Sequence, residues 1–345
     1  MVFSENILHW YAKNKRSLPW RSTRDPYRIW LSEIMLQQTR VAQGLPYYSK
    51  FVDEFPSVYD LANANEEKVL KLWQGLGYYS RARNLHATAK MVVAEYKGEF
   101  PKTYIELLKL KGVGDYTASA IASICFDLPE PVVDGNVYRV LSRYFGVDIP
   151  INSTKGIAHF KLLAREVMDK ENIRDYNQGI MEFGAMQCVP KSPDCTSCPL
   201  NESCLALTNN SVKELPVKIK KTKIKNRYFN YLVVLSPEKN TLLKQRIGKG
   251  IWQNLWEFPL LECSTSAHLK EIEARYEEII KLDCVPEIRL YNSVEIVHKL
   301  SHQNLHTKFW ILNIEKEPIK GIHFNKLEDF PVPVLIADFI NTFKI

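Results

Sequence analysis

The sequence predicts a two-domain protein, with an all-α domain first and an α+β domain second. Apolar residues recur at helical spacing from residue 4 to about residue 205, without strand-like alternation. Beyond a lysine-rich stretch, the alternation typical of strands appears around one predicted helix. At 345 residues, the chain is long enough for two hydrophobic cores. The expected division is a helical domain at 1–208, a basic linker at 209–227 and an α+β domain at 228–345.

The individual elements follow from these two periodicities. In the first domain, helical patterns are clear at Val69–Trp73, Ala82–Tyr96, Tyr104–Leu110 and Thr117–Cys125. In the second domain, strands are predicted at Tyr228–Leu235, Thr241–Gln245, Ile288–His298 and Lys308–Ile314, and a helix at 267–281. A proline among many lysines predicts the linker between the domains.

Composition indicates a folded, soluble protein. Hydrophobic residues make up 46% of the chain and aromatic residues 11%, which is more than a disordered protein carries. The N-terminus lacks the apolar stretch of a secretory signal, and no later stretch approaches the roughly 18 apolar residues of a membrane span. We therefore expect a cytoplasmic protein without a membrane partner. The net charge of +7 permits binding to a polyanion without requiring it.

Four cysteines at the end of the helical domain predict a metal centre. Cys188, Cys195, Cys198 and Cys204 form a C-x6-C-x2-C-x5-C pattern. Zinc knuckles usually combine two close cysteine pairs, whereas this pattern has one close pair between longer arms. It therefore favours a [4Fe-4S] cluster held by four thiolates. Zinc and a disulfide pair are the alternatives, and the disulfide is the weaker because nothing else indicates secretion.

A pair of glycines predicts a hairpin between two helices. Gly112 and Gly114 separate an amphipathic helix from one rich in Ala and Ser. Glycine tolerates left-handed backbone angles and close approach, and the second helix would direct its first N–H groups outward. Such a hairpin can bind one phosphate. A plain helix–helix turn would explain these residues equally well.

Two carboxylates, Glu33 and Asp134, have different surroundings in the sequence. In a helix, the neighbours of Glu33 at three and four positions would be mainly apolar. Burial there would raise the pKa of Glu33 and keep it protonated near neutral pH. A solvated glutamate, or one paired with Arg40, is the alternative. Asp134 precedes an apparent helix, whose N–H groups would lower its pKa and keep it anionic, although capping alone would also explain it.

Together, these features resemble the helix-hairpin-helix DNA glycosylases of the endonuclease III superfamily. The hairpin, an aspartate twenty residues after Gly114 and the cysteine loop carry the resemblance. Four motifs resemble the adenine DNA glycosylase, or MutY, family: Leu18–Arg21, Ser32–Arg40, Gly75–Leu85 and Asp134–Arg143. The resemblance implies excision of adenine opposite 8-oxoguanine or guanine in double-stranded DNA. It also implies a nucleoid-associated monomer that carries a [4Fe-4S] cluster.

The resemblance implies roles for four residues at the reaction centre. Glu33 would protonate N7 of a flipped adenine, and Asp134 would stabilise or trap the sugar cation. Tyr116 and Asn136 match positions that support these two groups. The lyase branch of the superfamily carries a lysine where this chain has Tyr116, so base excision without efficient strand cleavage is implied.

Other residues match family positions that contact DNA. Gln38 and Tyr78 would insert near the lesion, and Gly112 and Gly114 would bind a phosphate. Arg21 and Trp20 would support the active site and line the adenine pocket. A surface glutamine and a buried tyrosine are the ordinary alternatives for Gln38 and Tyr78.

The second domain resembles a Nudix fold through the motif Gly250–Pro259. A Nudix hydrolase aligned on this motif would need glycine at Leu261 and metal-binding glutamates at Ile279 and Ile280, and isoleucine cannot bind magnesium. We therefore expect recognition rather than hydrolysis from this domain.

A tripeptide in the second domain matches the Phe-Ser-His with which the family reads 8-oxoguanine. Here it is Leu300-Ser301-His302, so Ser301 and His302 can still form hydrogen bonds while the aromatic residue is missing.

Two rival functions remain open for the whole chain. One is an endonuclease III-like bifunctional glycosylase/lyase, which Tyr116 and Glu33 disfavour, and the other is a non-catalytic iron–sulfur sensor of DNA lesions.

Overall fold

The computed structural model describes residues 2–219, 224–316 and 321–344, which pack into two compact units. The first unit comprises Met1–Asn63 and Asn84–Lys220, and the second comprises Ala64–Arg83 and Lys221–Ile345. The chain passes from the first unit to the second inside the predicted linker. Residues 64–83, however, belong to the second unit, whereas the sequence placed them within a continuous domain at 1–208.

Residues 2–219 contain helices and no strand, as predicted. The helices are α1 Val2–Asn14, α2 Pro26–Leu36, α3 Val41–Glu54, α4 Val58–Asn63, α5 Glu66–Leu72, α6 Ser80–Tyr96, α7 Tyr104–Leu107, α8 Asp115–Phe126, α9 Gly135–Tyr144, α10 Thr154–Val167, α11 Ile173–Met186 and α12 Leu205–Thr208. All four predicted helices are present, and α7 is shorter than predicted because the chain turns after Leu107 towards Gly112, whose φ is +79°. None of the helices in the described ranges is both long and apolar enough to span a bilayer.

The second unit contains a five-stranded sheet and short pairs of strands. Its elements are β1 Lys225–Leu235, β2 Asn240–Thr241, β3 Lys244–Gln245, β4 Trp256–Glu257, β5 Leu260–Cys263, α13 Leu269–Arg275, β6 Glu287–Leu290, β7 Ile296–Lys299, β8 Gln303–Asn313, β9 Ile322–His323 and α14 Val334–Thr342. The strand order of the main sheet is β5-β1-β8-β6, and β7 also pairs with β8. Strands β1 and β8 are parallel, in the register Tyr231 to Phe309, and the other pairs in this sheet are antiparallel.

The centre of this sheet is apolar on both faces because a helix covers each face. On one face, Trp310 packs in a cluster with Ile272 of α13. On the other, the ring of Phe309 stacks on Phe339 of α14, with the ring centres 4.1 Å apart. Neighbouring residues of a strand point to opposite faces, so double coverage requires an almost continuous apolar run.

Several predicted boundaries in the second unit need correction. Strand β1 begins at Lys225, inside the predicted linker, and linker residues 220–223 lie outside the described residues. The predicted strand Ile288–His298 is two strands, β6 and β7, because the chain leaves the sheet between them. The predicted strand at 241–245 is likewise divided between β2 and β3. The predicted helix at 267–281 is α13 followed by a short 3₁₀ turn.

Residues 64–83 are joined to the second unit by polar contacts from α5. The Oε1 atom of Glu66 accepts a 2.6 Å hydrogen bond from Asn254, and that of Glu67 accepts a 2.9 Å bond from the Trp256 indole. The ammonium of Lys71 donates to the carbonyl of Phe330 at 3.2 Å. The helical period of this segment is the same whichever unit receives it, so the sequence pattern could not assign it.

Candidate active site

A cavity of about 170 Å³ in the first unit contains both predicted catalytic carboxylates. Most of the side chains around it come from helices α2, α8, α9 and α11 and from the short 3₁₀ turn before α2. Six sequence-predicted site residues line it: Trp20, Arg21, Glu33, Tyr116, Asp134 and Asn136. The structure therefore brings the predicted acid and the predicted anion to one concave site.

Glu33 is buried at the cavity and has a strongly raised pKa. Its helix begins at Pro26, after Asp25 accepts a 3.0 Å hydrogen bond from the N–H of Tyr27. The Glu33 side chain is only 8% exposed, which rules out the solvated alternative. Burial raises its pKa to about 7, against a 2.6 Å hydrogen bond from Tyr116 that favours the anion. The charge of Asp134 contributes to this raised pKa, and that of Arg21 opposes it.

Asp134 is the N-cap residue of α9, and this part of the prediction is confirmed. Its Oδ1 accepts hydrogen bonds from the N–H groups of Asn136 and Val137, at 2.9 and 2.8 Å. Its Oδ2 accepts a third, at 2.8 Å, from the Asn136 amide. The predicted direction of its pKa was wrong. Burial raises the pKa of Asp134 by more than these three donors lower it.

Asn136 is itself held by an arginine that the sequence analysis missed. Arg139 donates to Oδ1 of Asn136 at 2.9 Å and to the carbonyls of Gly184 and Cys188, at 2.6 and 2.7 Å. Gly184 must be small here, because a Cβ would lie 2.7 Å from the Cβ of Asn136. The amide of Asn136 is thus fixed with its N–H₂ group towards Asp134.

Arg21 and Trp20 line the cavity, and Arg21 is tied to an acid that was also missed. Glu182 of α11 accepts hydrogen bonds of 2.6 to 3.1 Å from Arg16 and Arg21. Burial opposes its ionisation, but the bonds from the two arginines win and lower its pKa to about 2. Trp20 packs edge-on against Tyr48. Glu182 is therefore an anion that lines the same cavity as Glu33.

The predicted hairpin is present in the first unit. The left-handed Gly112 approaches Asn84 so closely that a Cβ would lie 2.8 Å from the Cβ of that residue. Gly114 is the N-cap residue of α8 and has no side chain to occupy the first-turn N–H groups. Asp115 follows, and its carboxylate accepts hydrogen bonds from Tyr104 and, at 3.0 Å, from Lys161.

The four clustered cysteines line one small cavity of the first unit. All seven cysteines are free thiols, so the disulfide alternative is not supported. Within the described ranges, no three or more His, Cys, Asp or Glu side chains are arranged to hold a metal ion. The Arg143 guanidinium lies 3.4 Å from Sγ of Cys188. The four thiols therefore line one cavity next to a buried cation, without forming a metal-ligand group among the described residues.

The remaining predicted DNA contacts lie outside the cavity. Gln38 of the first unit is exposed and left-handed, with φ at +57°. Tyr78 of the second unit is 48% exposed, so the buried alternative is wrong, and its hydroxyl lies 2.5 Å from Oγ of Ser301. His302 is exposed beside Ser301. Tyr78 and the Ser-His pair therefore share one unit.

The positions at which a Nudix hydrolase would bind metal are apolar in the folded chain. Ile280 is buried in the core cluster of the second unit, against which Ile279 also packs. The carbonyl of Ile279 accepts a 2.5 Å hydrogen bond from Lys244. These residues stabilise the fold and offer no carboxylate to magnesium.

Comparison with known proteins identifies the family. Residues 31–162 match the model described as HhH-GPD superfamily base excision DNA repair protein, and residues 230–342 match the NUDIX domain model. The adenine DNA glycosylase of Buchnera aphidicola subsp. Schizaphis graminum (strain Sg) is 36% identical over 353 residues, which cover 99% of both chains. This chain belongs to the adenine DNA glycosylase family. Membership confirms the predicted helix-hairpin-helix core and the Nudix-like second domain.

Two other matches extend this result. The adenine DNA glycosylase of Mus musculus is 36% identical over 369 residues, covering 92% of this chain and 72% of that protein. Among solved structures, a thermostable thymine-DNA glycosylase is 32% identical, with a TM-score of 0.56 over 60% of this chain and 96% of the other. The thymine-DNA glycosylase is thus matched over almost its whole length, and the part of this chain that it covers is about as long as the helical part.

Proposed function

We propose that this protein is a monofunctional DNA glycosylase that excises adenine mispaired with 8-oxoguanine or guanine in double-stranded DNA. The observation that carries the proposal is the shared cavity of Glu33, whose pKa is about 7, and Asp134. A base in a duplex is inaccessible, so the nucleotide is first flipped into the cavity, at a cost of a few kcal/mol. We propose the cytoplasm as its location and a monomer as its working form.

The chemistry divides between the two carboxyl groups. Neutral Glu33 gives its proton to N7 of adenine, which turns the base into a better leaving group. The C1′–N9 bond then breaks, its electron pair leaves with the base, and a sugar cation forms. Ionised Asp134, fixed by Asn136, stabilises that cation until water adds at C1′. The proton lost by this water returns to a carboxylate of the pair.

The same arrangement supports excision without strand cleavage. A lyase of this superfamily forms a Schiff base through a lysine at the hairpin, and this chain places Tyr116 there. The phenol of Tyr116 is already hydrogen-bonded to Glu33 and cannot supply the amine. The abasic product therefore leaves with its phosphodiester backbone intact.

The cysteine loop is proposed to hold a [4Fe-4S] cluster through Cys188, Cys195, Cys198 and Cys204. When bound, the cluster supplies iron–thiolate bonds that fix the loop, together with a potential redox centre. Arg143 would remain beside it, since this arginine also donates to the carbonyls of Val189 and Pro190 at 2.8 and 3.1 Å.

The second unit is proposed to recognise the strand opposite the adenine. Ser301 and His302 are exposed and can form hydrogen bonds with 8-oxoguanine. Tyr78, together with Gln38 of the first unit, would enter the base stack.

The hairpin of the first unit is proposed to bind the DNA backbone. Gly112 and Gly114 would place first-turn N–H groups of α8 against a phosphate. Phosphate contacts make the affinity for DNA fall as salt is raised.

One gel assay tests the proposal. Labelled duplexes carry adenine opposite 8-oxoguanine, guanine or thymine, and each reaction is divided and treated with or without alkali. We expect strand breaks only after alkali, and only with the two mispairs. A duplex with thymine opposite guanine is included because one structural relative is a thymine-DNA glycosylase.

Variants separate the rival functions in the same assay. Glu33→Gln and Asp134→Asn should each abolish excision while DNA binding persists. Excision at the parental rate by both variants would contradict the mechanism, and binding without any excision by the parent protein would indicate a lesion sensor. Strand breaks without alkali, with a borohydride-trapped DNA adduct, would indicate a lyase.

A further inference from the structure

Arg81, which the sequence analysis did not single out, is a buried cation next to Tyr78. Its side chain is 8% exposed, and its guanidinium carbon lies 5.6 Å from the ring centre of Tyr78 and 5.2 Å from that of Trp73. Both distances are within the range of cation–π attraction. Burial lowers the pKa of Arg81 to about 10, which shows how far this charge is removed from water.

Arg81 also holds the backbone that precedes Tyr78. Its Nη2 donates to the carbonyls of Leu76 and Gly77, at 3.1 and 3.3 Å, and the Trp73 indole donates to the same Gly77 carbonyl at 3.0 Å. The loop needs such support, because Tyr78 has φ at +48°, where a residue with a bulky side chain is strained.

The two ends of the Tyr78 side chain thus have different supports. Arg81 contacts the ring, and Ser301 contacts the hydroxyl at 2.5 Å. Almost half of the side chain nevertheless stays exposed. An aromatic group that is fixed before binding loses less conformational entropy when it enters a base stack.

We propose that Arg81 is a positioning residue that fixes Tyr78 in the orientation needed to wedge into DNA beside the mispair. The proposal rests on the proposed function and adds a residue that acts only through Tyr78. If the proposal is correct, replacing Arg81 should no longer affect base flipping once the ring of Tyr78 has been removed.

A double-mutant cycle tests this requirement. The parent, Arg81→Met, Tyr78→Ala and the double variant are compared by single-turnover excision and by the fluorescence of a base analogue that reports unstacking next to the adenine. We expect Arg81→Met to reduce both signals by about tenfold in the parent, as a lost cation–π contact predicts, and less than about twofold in Tyr78→Ala. An equal loss in both backgrounds would overturn the proposal.

Arg83→Met is the matched control, because it makes the same chemical change two residues away. The Arg83 guanidinium donates to the carbonyl of Gln253 at 2.8 Å and is half-buried. Its loss should leave both signals near the parental level. If Arg83→Met lost as much signal as Arg81→Met, and neither loss depended on Tyr78, the loop would merely need positive charge for folding, and the proposal would be overturned.

Arg81→Lys keeps the test decisive if Arg81→Met fails to fold. Lysine retains the cation but lacks the planar fork, so we expect a smaller loss that again depends on Tyr78. A loss that is independent of Tyr78 would overturn the proposal. The fluorescence signal needs no bond cleavage, so unstacking without excision would contradict the proposed function while still testing Arg81.

Discussion

The phenol of Tyr116 donates a 2.6 Å hydrogen bond to Oε2 of Glu33 and so joins helix α8 to helix α2 at the cavity. The same hydroxyl lies 3.1 Å from Sδ of Met181. Since the bond to Glu33 favours the carboxylate, it opposes the burial that keeps this group protonated. Tyr116 therefore lowers the pH below which Glu33 is protonated and can act as a proton donor.

Tyr116→Phe should move the pH dependence of excision upwards. Removal of the hydroxyl removes a stabilising contact of the Glu33 anion, so the pKa of Glu33 rises above about 7 and activity persists to higher pH. Single-turnover rates between pH 5 and 9 measure the shift. Tyr144→Phe is the control, because its hydroxyl bonds to Ser203 and does not line the cavity. If the alkaline limb of the pH–rate profile stayed in place or moved to lower pH, the assignment of Glu33 as the proton donor would be contradicted.

Glu33→Gln should stabilise the fold above neutral pH although it abolishes excision. A raised pKa means that the folded protein binds this proton more tightly than the unfolded chain does. The stability it contributes is complete below pH 4.5 and is lost as pH rises through about 7. Glutamine cannot ionise, so the variant should gain up to about 3 kcal/mol over the parent at pH 8. Urea unfolding at pH 5 and pH 8 measures this, and an equal difference at both would refute it.

Asn136→Ala should raise the pKa of Asp134 further. The Asn136 amide donates to Oδ2 of Asp134 and opposes the effect of burial, so its removal favours the protonated form. Because the proposed excision needs ionised Asp134, the acidic limb of the pH–rate profile should then move to higher pH. Gly184→Ala should reproduce the shift in part, because a Cβ there displaces Asn136. Loss of rate without any change in the acidic limb would indicate a purely structural role.

Lys161→Met should weaken DNA binding by about three- to tenfold, because it leaves an uncompensated carboxylate on Asp115 at the hairpin. Lys161 also bonds to Ser119 and to the carbonyl of Pro131, at 2.9 and 2.8 Å, so a fold defect must be distinguished. Adding Asp115→Asn to the variant makes this distinction. Recovery of affinity, measured at two salt concentrations, would confirm the charge effect, whereas continued weakness would indicate lost packing.

The purified protein should contain about four iron atoms per chain and absorb near the edge of the visible range. Cys198→Ser should lower the iron content and weaken DNA binding, because the loop would lose one of its four anchors. Cys284→Ser is a control outside the cysteine pattern. Stoichiometric zinc in place of iron would show that the cluster prediction is wrong.

Local patterns were sufficient where one element determines the environment of a residue. The apolar neighbours of Glu33 in the sequence are its neighbours in α2, so its burial could be predicted. The direction in which the pKa of Asp134 shifts could not be predicted, because two opposing effects decide it. The hydrogen bonds of the cap are local, whereas the effect of burial depends on the packing of the whole unit.

Contacts between distant parts of the sequence left no pattern to interpret. Glu182 becomes a buried anion because Arg16 and Arg21, 166 and 161 positions away, reach it across the fold. Arg139 similarly reaches the carbonyl of Cys188, 49 positions away. In the sequence, Glu182 and Arg139 are ordinary members of amphipathic helices, and neither carries a local sign of its partner.

The membership of residues 64–83 in the second unit has a consequence for deletion experiments. A fragment that stops before β1 would keep Tyr78 but lose Asn254, Trp256, Ser301 and Phe330, to which this segment is hydrogen-bonded. Removing the C-terminal part would thus disable an upstream helix and loop as well. If the proposed function is correct, a truncated protein that no longer distinguishes 8-oxoguanine would have lost both Ser301 and His302 and the contacts that fix Tyr78.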